Sequence, residues 1–140
     1  MSRAARWIVA ACALALLAGA AWWYRLIHEE SLTIDAGSLP YRLLVPDELA
    51  QERLAAFGKV GQYEYSAADG PKPTITVATI ETPGPAAASI GAITKAFVER
   101  GFSVSEAGRL VNGNTELDIA AADADCAGKC RVTLALSQHW

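Results

Sequence analysis

Arg109-Leu-Val-Asn-Gly-Asn-Thr-Glu-Leu-Asp-Ile-Ala-Ala121 is the stretch whose reading decides the fold. Asn112-Gly113 lies between apolar segments, and both residue types tolerate the left-handed backbone that a tight hairpin demands, so the pair marks a chain reversal between two strands. Leu117, Ile119 and Ala121 then recur at every second position, the period of a strand with one buried face. Beyond a loop holding two cysteines, Val132, Leu134 and Leu136 repeat that alternation. The chain therefore ends in an antiparallel meander, and the segments before it are read for what packs on that sheet.

Immediately upstream, Phe102-Ser103-Val104 is short and extended, and before it comes a helix. Pro83-Gly84-Pro85 breaks the preceding strand. Ile90, Ile93 and Phe97 fall on one helical face, and Gly101 ends the helix with Arg100 in its favourable last turn. Thr74 to Ile80 is rich in β-branched residues, and the turn signal Ala68-Asp69-Gly70-Pro71 joins it to an extended Val60, Tyr63 and Tyr65 segment, a second hairpin. Pro46-Asp47-Glu48 opens a short helix in which Ala50, Leu54 and Phe57 share a face and Gly58 is the stop. Leu32 and Ile34, then Tyr41, Leu43 and Val45, alternate on either side of Ala36-Gly37-Ser38, which predicts a first hairpin.

The expected domain, residues 31–140, is thus α+β: a mainly antiparallel sheet with two helices packed on it, in the order β-β-α-β-β-α-β-β-β. In its order of elements it resembles small αβα sandwiches of the PsbP type. That resemblance implies binding to other proteins.

Residues 1–25 carry a different signal. Trp7 to Tyr24 holds no charged side chain, follows Arg3 and Arg6, and as a helix covers about 27 Å, close to the roughly 30 Å apolar layer of a bilayer. The positive-inside bias puts the amino terminus in the cytoplasm and everything after Arg25 on the far side. Trp22-Trp23-Tyr24 and Arg25 read as an interfacial anchor, favouring a single-pass helix retained in the inner membrane with the domain in the periplasm. The alternative is a signal peptide cleaved after Ala18-Gly19-Ala20, releasing the domain to the periplasm. A third outcome is lipidation, since Val9-Ala10-Ala11-Cys12 looks like a bacterial lipobox. Residues 26–30 form a juxtamembrane linker.

The whole chain has a formal net charge of -3, and removing Arg3, Arg6 and Arg25 leaves nine basic against fifteen acidic residues, or 9 - 15 = -6, beyond the apolar run. That balance disfavours nucleic acid and anionic headgroups as partners and suits a basic protein surface.

Signals for chemistry are sparse. Cys126-Ala-Gly-Lys-Cys130, in an exported protein, most simply forms a disulfide. Redox catalysis would need a depressed thiolate pKa; Lys129 and Arg131 favour one, and Asp123 and Asp125 oppose it. With His139 the two cysteines resemble part of the copper sites of cytochrome-oxidase subunits and their assembly factors, although the only methionine is Met1 and the soft axial ligand is missing. Glu116, Asp118, Asp123 and Asp125 offer oxygen ligands but lack the pattern of a calcium loop. Ala87-Ala-Ser89-Ile-Gly91 is similar to a nucleophile elbow, yet falls inside an Ala-rich helical run, and the histidines are His28, beside the membrane, and His139, next to the C-terminus. No phosphate-binding glycine motif follows a strand. Tyr41, Phe57, Tyr63, Tyr65, Phe97 and Phe102 occupy core positions by periodicity.

The sequence is accordingly read as a membrane-tethered, non-catalytic protein-binding domain of a bacterial envelope, an assembly accessory or an immunity-type inhibitor, with no metal or cofactor expected. A disulfide-redox or copper-handling protein built on Cys126 and Cys130 is the alternative.

Overall fold

The structure is a computed structural model describing residues 3–28, 31–68, 70–122, 126 and 128–139, with the side chains of 7–25 described in the first of these segments. The chain divides into two compact units, Met1–Glu30 and Ser31–Trp140. The first is one helix, α1 (Arg3–His28), built from good helix formers with no proline and with Gly19 as its one glycine. Within it Trp7–Arg25 is long and apolar enough to cross a membrane, with a mean hydropathy of 1.7 over 19 residues, a property that signal sequences share.

The second unit is α+β. Its elements are β1 (Leu32–Ile34), α2 (Leu39–Leu44), a 3-10 turn (Asp47–Leu49), α3 (Gln51–Leu54), β2 (Lys59–Ser66), β3 (Thr74–Pro83), α4 (Ala86–Glu99), β4 (Ser103–Val104), β5 (Leu110–Asn112), β6 (Thr115–Ala121) and β7 (Lys129–Gln138). The seven strands form one sheet in the order β1-β2-β3-β7-β6-β5-β4, and every pair is antiparallel. The ten-residue strands β3 and β7 lie at its centre. The edge strands β1 and β4 are only three and two residues long, which limits what they offer to a passing strand.

The antiparallel sheet and the terminal meander agree with the sequence reading, but the element order does not. Tyr41, Leu43 and Val45 belong to no strand: α2 replaces the second strand of the expected first hairpin, and β1 pairs with β2 instead, Leu32 opposite Tyr65 and Ile34 opposite Tyr63. The reason is local. Ser38 does not turn a hairpin but caps a helix, its hydroxyl accepting from the Tyr41 N–H at 3.2 Å, and Pro40 stands in the first turn, where a missing N–H costs nothing. Tyr41, Leu44 and Val45 then pack against the core at i, i+3 and i+4, while Leu39 and Leu43 point to solvent. Pro46 stops the helix. The helix expected from Pro46 to Phe57 is the 3-10 turn followed by the single turn of α3. Ser103–Val104 pairs with β5 and adds a strand to the meander, so the observed order is β-α-α-β-β-α-β-β-β-β.

The other turns follow their residues. The Asn-Gly hairpin forms one position along: Asn112 pairs with Thr115, leaving Gly113-Asn114 as a two-residue loop with Gly113 at φ 58° in its first central position. The β2–β3 turn carries Gly70 at φ 60°, and Asp69 lies outside the described residues. Gly58, expected as a helix stop, answers to a different constraint: a Cβ there would collide with the Glu81 carbonyl oxygen, so β3 approaches the start of β2 too closely for any side chain.

One face of the sheet carries the core. Ile34, Tyr63, Ala78, Ile80, Val132, Leu134, Leu136, Leu117 and Leu110 point into it from successive strands, and Leu49, Leu54, Ile93 and Phe97 meet them from the helices. Each large apolar side chain so buried contributes about 1.5–3 kcal/mol. Phe97 and Phe102 pack edge to face at 5.3 Å between ring centres, tying the end of α4 to the strand that follows. The Tyr63 hydroxyl donates to the Leu49 carbonyl at 2.9 Å, and burial, with Tyr41 beside it, raises its pKa above the ordinary phenol value.

Candidate functional site

All the helices of the domain contribute to that single core, so the helical layer lies on one face of the sheet. Among the described residues of this unit no helix or strand lies against the other face. The antiparallel register aligns the outward positions of four strands in rows. Glu64, Val77, Ala135 and Asp118 stand side by side across β2, β3, β7 and β6. On one side of that row lie Ser66, Ile75, Ser137 and Glu116; on the other lie Gln62, Thr79, Thr133 and Ala120. Lys59, Glu81 and Arg131 make a further row at the end nearest the cysteines.

Down the middle of this face runs a strip of β-branched and small side chains, Ile75, Val77, Thr79, Thr133, Ala135 and Ser137, all half-buried by one another. Exposed Glu64 on β2 and Asp118 on β6 border it. Glu116 is held in an ion pair by Arg109, whereas among the described residues no cation pairs with Glu64 or Asp118. At the cysteine end, Lys59, Glu81 and Arg131 alternate in sign across neighbouring strands, so Glu81 has a cation on either side. The chemistry on offer is shape and charge, with no nucleophile or base at its centre.

The residues singled out in the sequence are dispersed. Cys126 and Cys130 lie with their sulfur atoms at bonding distance and their Cα atoms 5.5 Å apart, at the start of β7. Thr82 opposite donates its hydroxyl to the Cys130 carbonyl at 3.3 Å, inside the core edge. His139 follows the far end of β7, about 30 Å from Cys130 at the rise of an extended strand, so the fold does not gather the copper set of Cys126, Cys130 and His139. Ser89 lies within the first turns of α4 rather than at a strand-to-helix elbow, and its backbone N–H donates to the Pro85 carbonyl. Asp123 and Asp125 lie outside the described residues. Among those described, no group of three or more His, Cys, Asp or Glu side chains is placed to share a metal ion. A shallow depression of about 210 Å³ opens beside the disulfide, lined by Gly58, Lys59, Glu81, Thr82, Pro83 and Lys129; it brings together no acid, base and nucleophile in a working order.

The open face was not picked out by sequence motifs, yet a signal for it exists. Thr74 to Ile80 and Val132 to Ser137 carry no charge at either alternate position. A strand with one wet face ordinarily alternates apolar with polar or charged, and the outward side of these stretches has hydroxyls at Thr79, Thr133 and Ser137 but no charge. Comparison with protein-family models, curated proteins and solved structures finds no match for the chain.

Proposed function

We propose that this protein is a membrane-anchored, non-catalytic binding domain displayed on the periplasmic side of a bacterial inner membrane, and that it docks a partner protein on the open face of its sheet. The observation that carries the reading is the uncovered strip from Ile75 to Thr79 on β3 and from Thr133 to Ser137 on β7. An uncharged strip of small and β-branched side chains with a charged border is what protein interfaces present before they close: a core that loses water and a rim that stays wet. Retention of α1 as the anchor rests on the aromatic and arginine residues from Trp22 to Arg25, and export of the domain on the arginines that precede Trp7.

Site-specific photo-crosslinking in intact cells tests the docking surface. A photoreactive residue at Val77 or Ala135 should give a discrete adduct that the same residue at Val98, on the exposed side of α4, does not. Equal labelling from both faces would remove the reading. The intact mass of the membrane-extracted chain tests the anchor, since a mature protein starting at Ala21 or at a lipidated Cys12 excludes it. The redox or copper alternative predicts thiols that titrate freely before reduction; two thiols protected until reductant is added speak for a structural bridge.

A further inference from the structure

Resting on that docking reading, we propose that the occupant is an amphipathic helix whose apolar stripe is flanked on both sides by lysine or arginine, lying along β3 and β7 between Glu64 and Asp118. The dimensions select a helix. Glu64 and Asp118 stand on β2 and β6, three strand spacings apart, or about 14 Å, and a helix with its side chains is about 10–12 Å across. Such a helix fills the space over the central strip and leaves both carboxylates at its flanks, where long basic side chains reach them from the helix surface. From the Ile75 row to the Glu81 row is three steps of two residues, about 20 Å, which is the length of roughly thirteen helical residues.

Other occupants fit worse. A second sheet laid on this face would extend across β2 and β6 and bury Glu64 and Asp118 without partners, a costly arrangement. A second copy of this chain, face to face, would do the same and set carboxylate against carboxylate. Anionic lipid and nucleic acid meet the same acidic border. An extended peptide seeks a strand edge, and the strip is a face. Charge also gives the docked helix a direction to its specificity. The carboxylates lie in the Val77 row, whereas the row with Lys59, Glu81 and Arg131 already holds two cations to one carboxylate, so basic residues are required near one end of the strip and not the other.

The test uses the full chain in phosphatidylcholine nanodiscs and a stapled fourteen-residue helix with a leucine stripe flanked by lysines, with its glutamate-flanked twin as the comparison. The lysine helix should bind, measured by fluorescence anisotropy against empty nanodiscs, and its affinity should fall with added salt. The Glu64→Lys, Asp118→Lys chain should bind it about tenfold more weakly and gain affinity for the glutamate helix. That exchange of preference requires a folded variant and so separates lost recognition from lost structure. Equal binding of the two helices, or indifference to the double charge reversal, overturns the proposal. Crosslinking from Val77 in cells separates the two levels. An adduct with a segment that is not a basic helix overturns the occupant and leaves the docking surface standing; no adduct from Val77 or Ala135 removes the docking surface as well.

Discussion

The inner and outer faces of the sheet are made by the same strands, residue beside residue, and they have opposite fates. Leu134 on β7 is fully buried against α4 and the neighbouring strands, whereas Thr133 and Ala135 on either side of it face outward and are only half-buried. Burial explains every apolar side chain on the inner face. It explains less on the outer, where Ile75, Val77 and Ala135 are only half-buried and a wet sheet surface tolerates polar groups at no cost. The difference separates side chains that the core requires from side chains that it does not, and substitutions should divide accordingly.

The largest effect is expected in the core. Leu134→Ala should lower the stability of the full chain by about 3 kcal/mol in urea titration, because deleting a large aliphatic side chain from a packed core leaves a cavity as well as losing burial. A loss below 1 kcal/mol would show that the helical layer is loosely packed. Next comes the cysteine pair at the start of β7: replacing Cys126 and Cys130 together by serine should cost about 2 kcal/mol from the entropy of closing so short a loop, and the domain should still fold. Amide exchange should quicken near Lys129 and Cys130 and stay slow at Leu134.

Tyr63 gives the inner face a pH signature. Its folded pKa lies above the unfolded value of about 10, so its stabilising effect is complete below that pH. Above it, unfolded chains ionise while the folded ones stay neutral, and stability falls by about 1.4 kcal/mol per pH unit as pH rises toward the folded pKa. Tyr63→Phe, less stable below pH 10 because the Leu49 carbonyl loses its donor, should show a shallower decline between pH 9 and pH 11. The same slope in both chains would exclude Tyr63 as the source. Ser38→Ala, which removes the cap of α2, should cost about 1 kcal/mol. The smallest effect belongs to the outer face. Thr133→Ala should change stability by less than about 0.5 kcal/mol, and Val77→Lys should abolish partner crosslinking while leaving the urea midpoint nearly unmoved. A destabilisation there as large as that of Leu134→Ala would collapse the distinction between the two faces.

Much of the fold was legible because its signals are local. Asn112-Gly113 announces the hairpin, Pro83-Gly84-Pro85 the break before α4, and Ile90, Ile93 and Phe97 the face that α4 buries. The segment from Leu39 to Val45 misled for a physical reason. Tyr41, Leu43 and Val45 satisfy a period of two, while Tyr41, Leu44 and Val45 satisfy a helical one, and seven residues are too few to choose between them. The decision fell to Ser38 and Pro40, whose capping geometry favours the helix, and to β2, whose edge was free to take β1.

By itself the sequence determined the apolar helix at the amino terminus, the antiparallel α+β character of the domain, the pairing of β2 with β3 and of β5 with β6, and the cysteine pair, since each depends on residues close in the chain. Only the tertiary structure decided that β7 inserts between β3 and β6, because that pairing joins segments about fifty residues apart through contacts no local pattern encodes. From that insertion follows the candidate site. Val77 and Ala135 become neighbours, and Glu64 and Asp118 come to border them, when strand order and register bring four separate strands into one row.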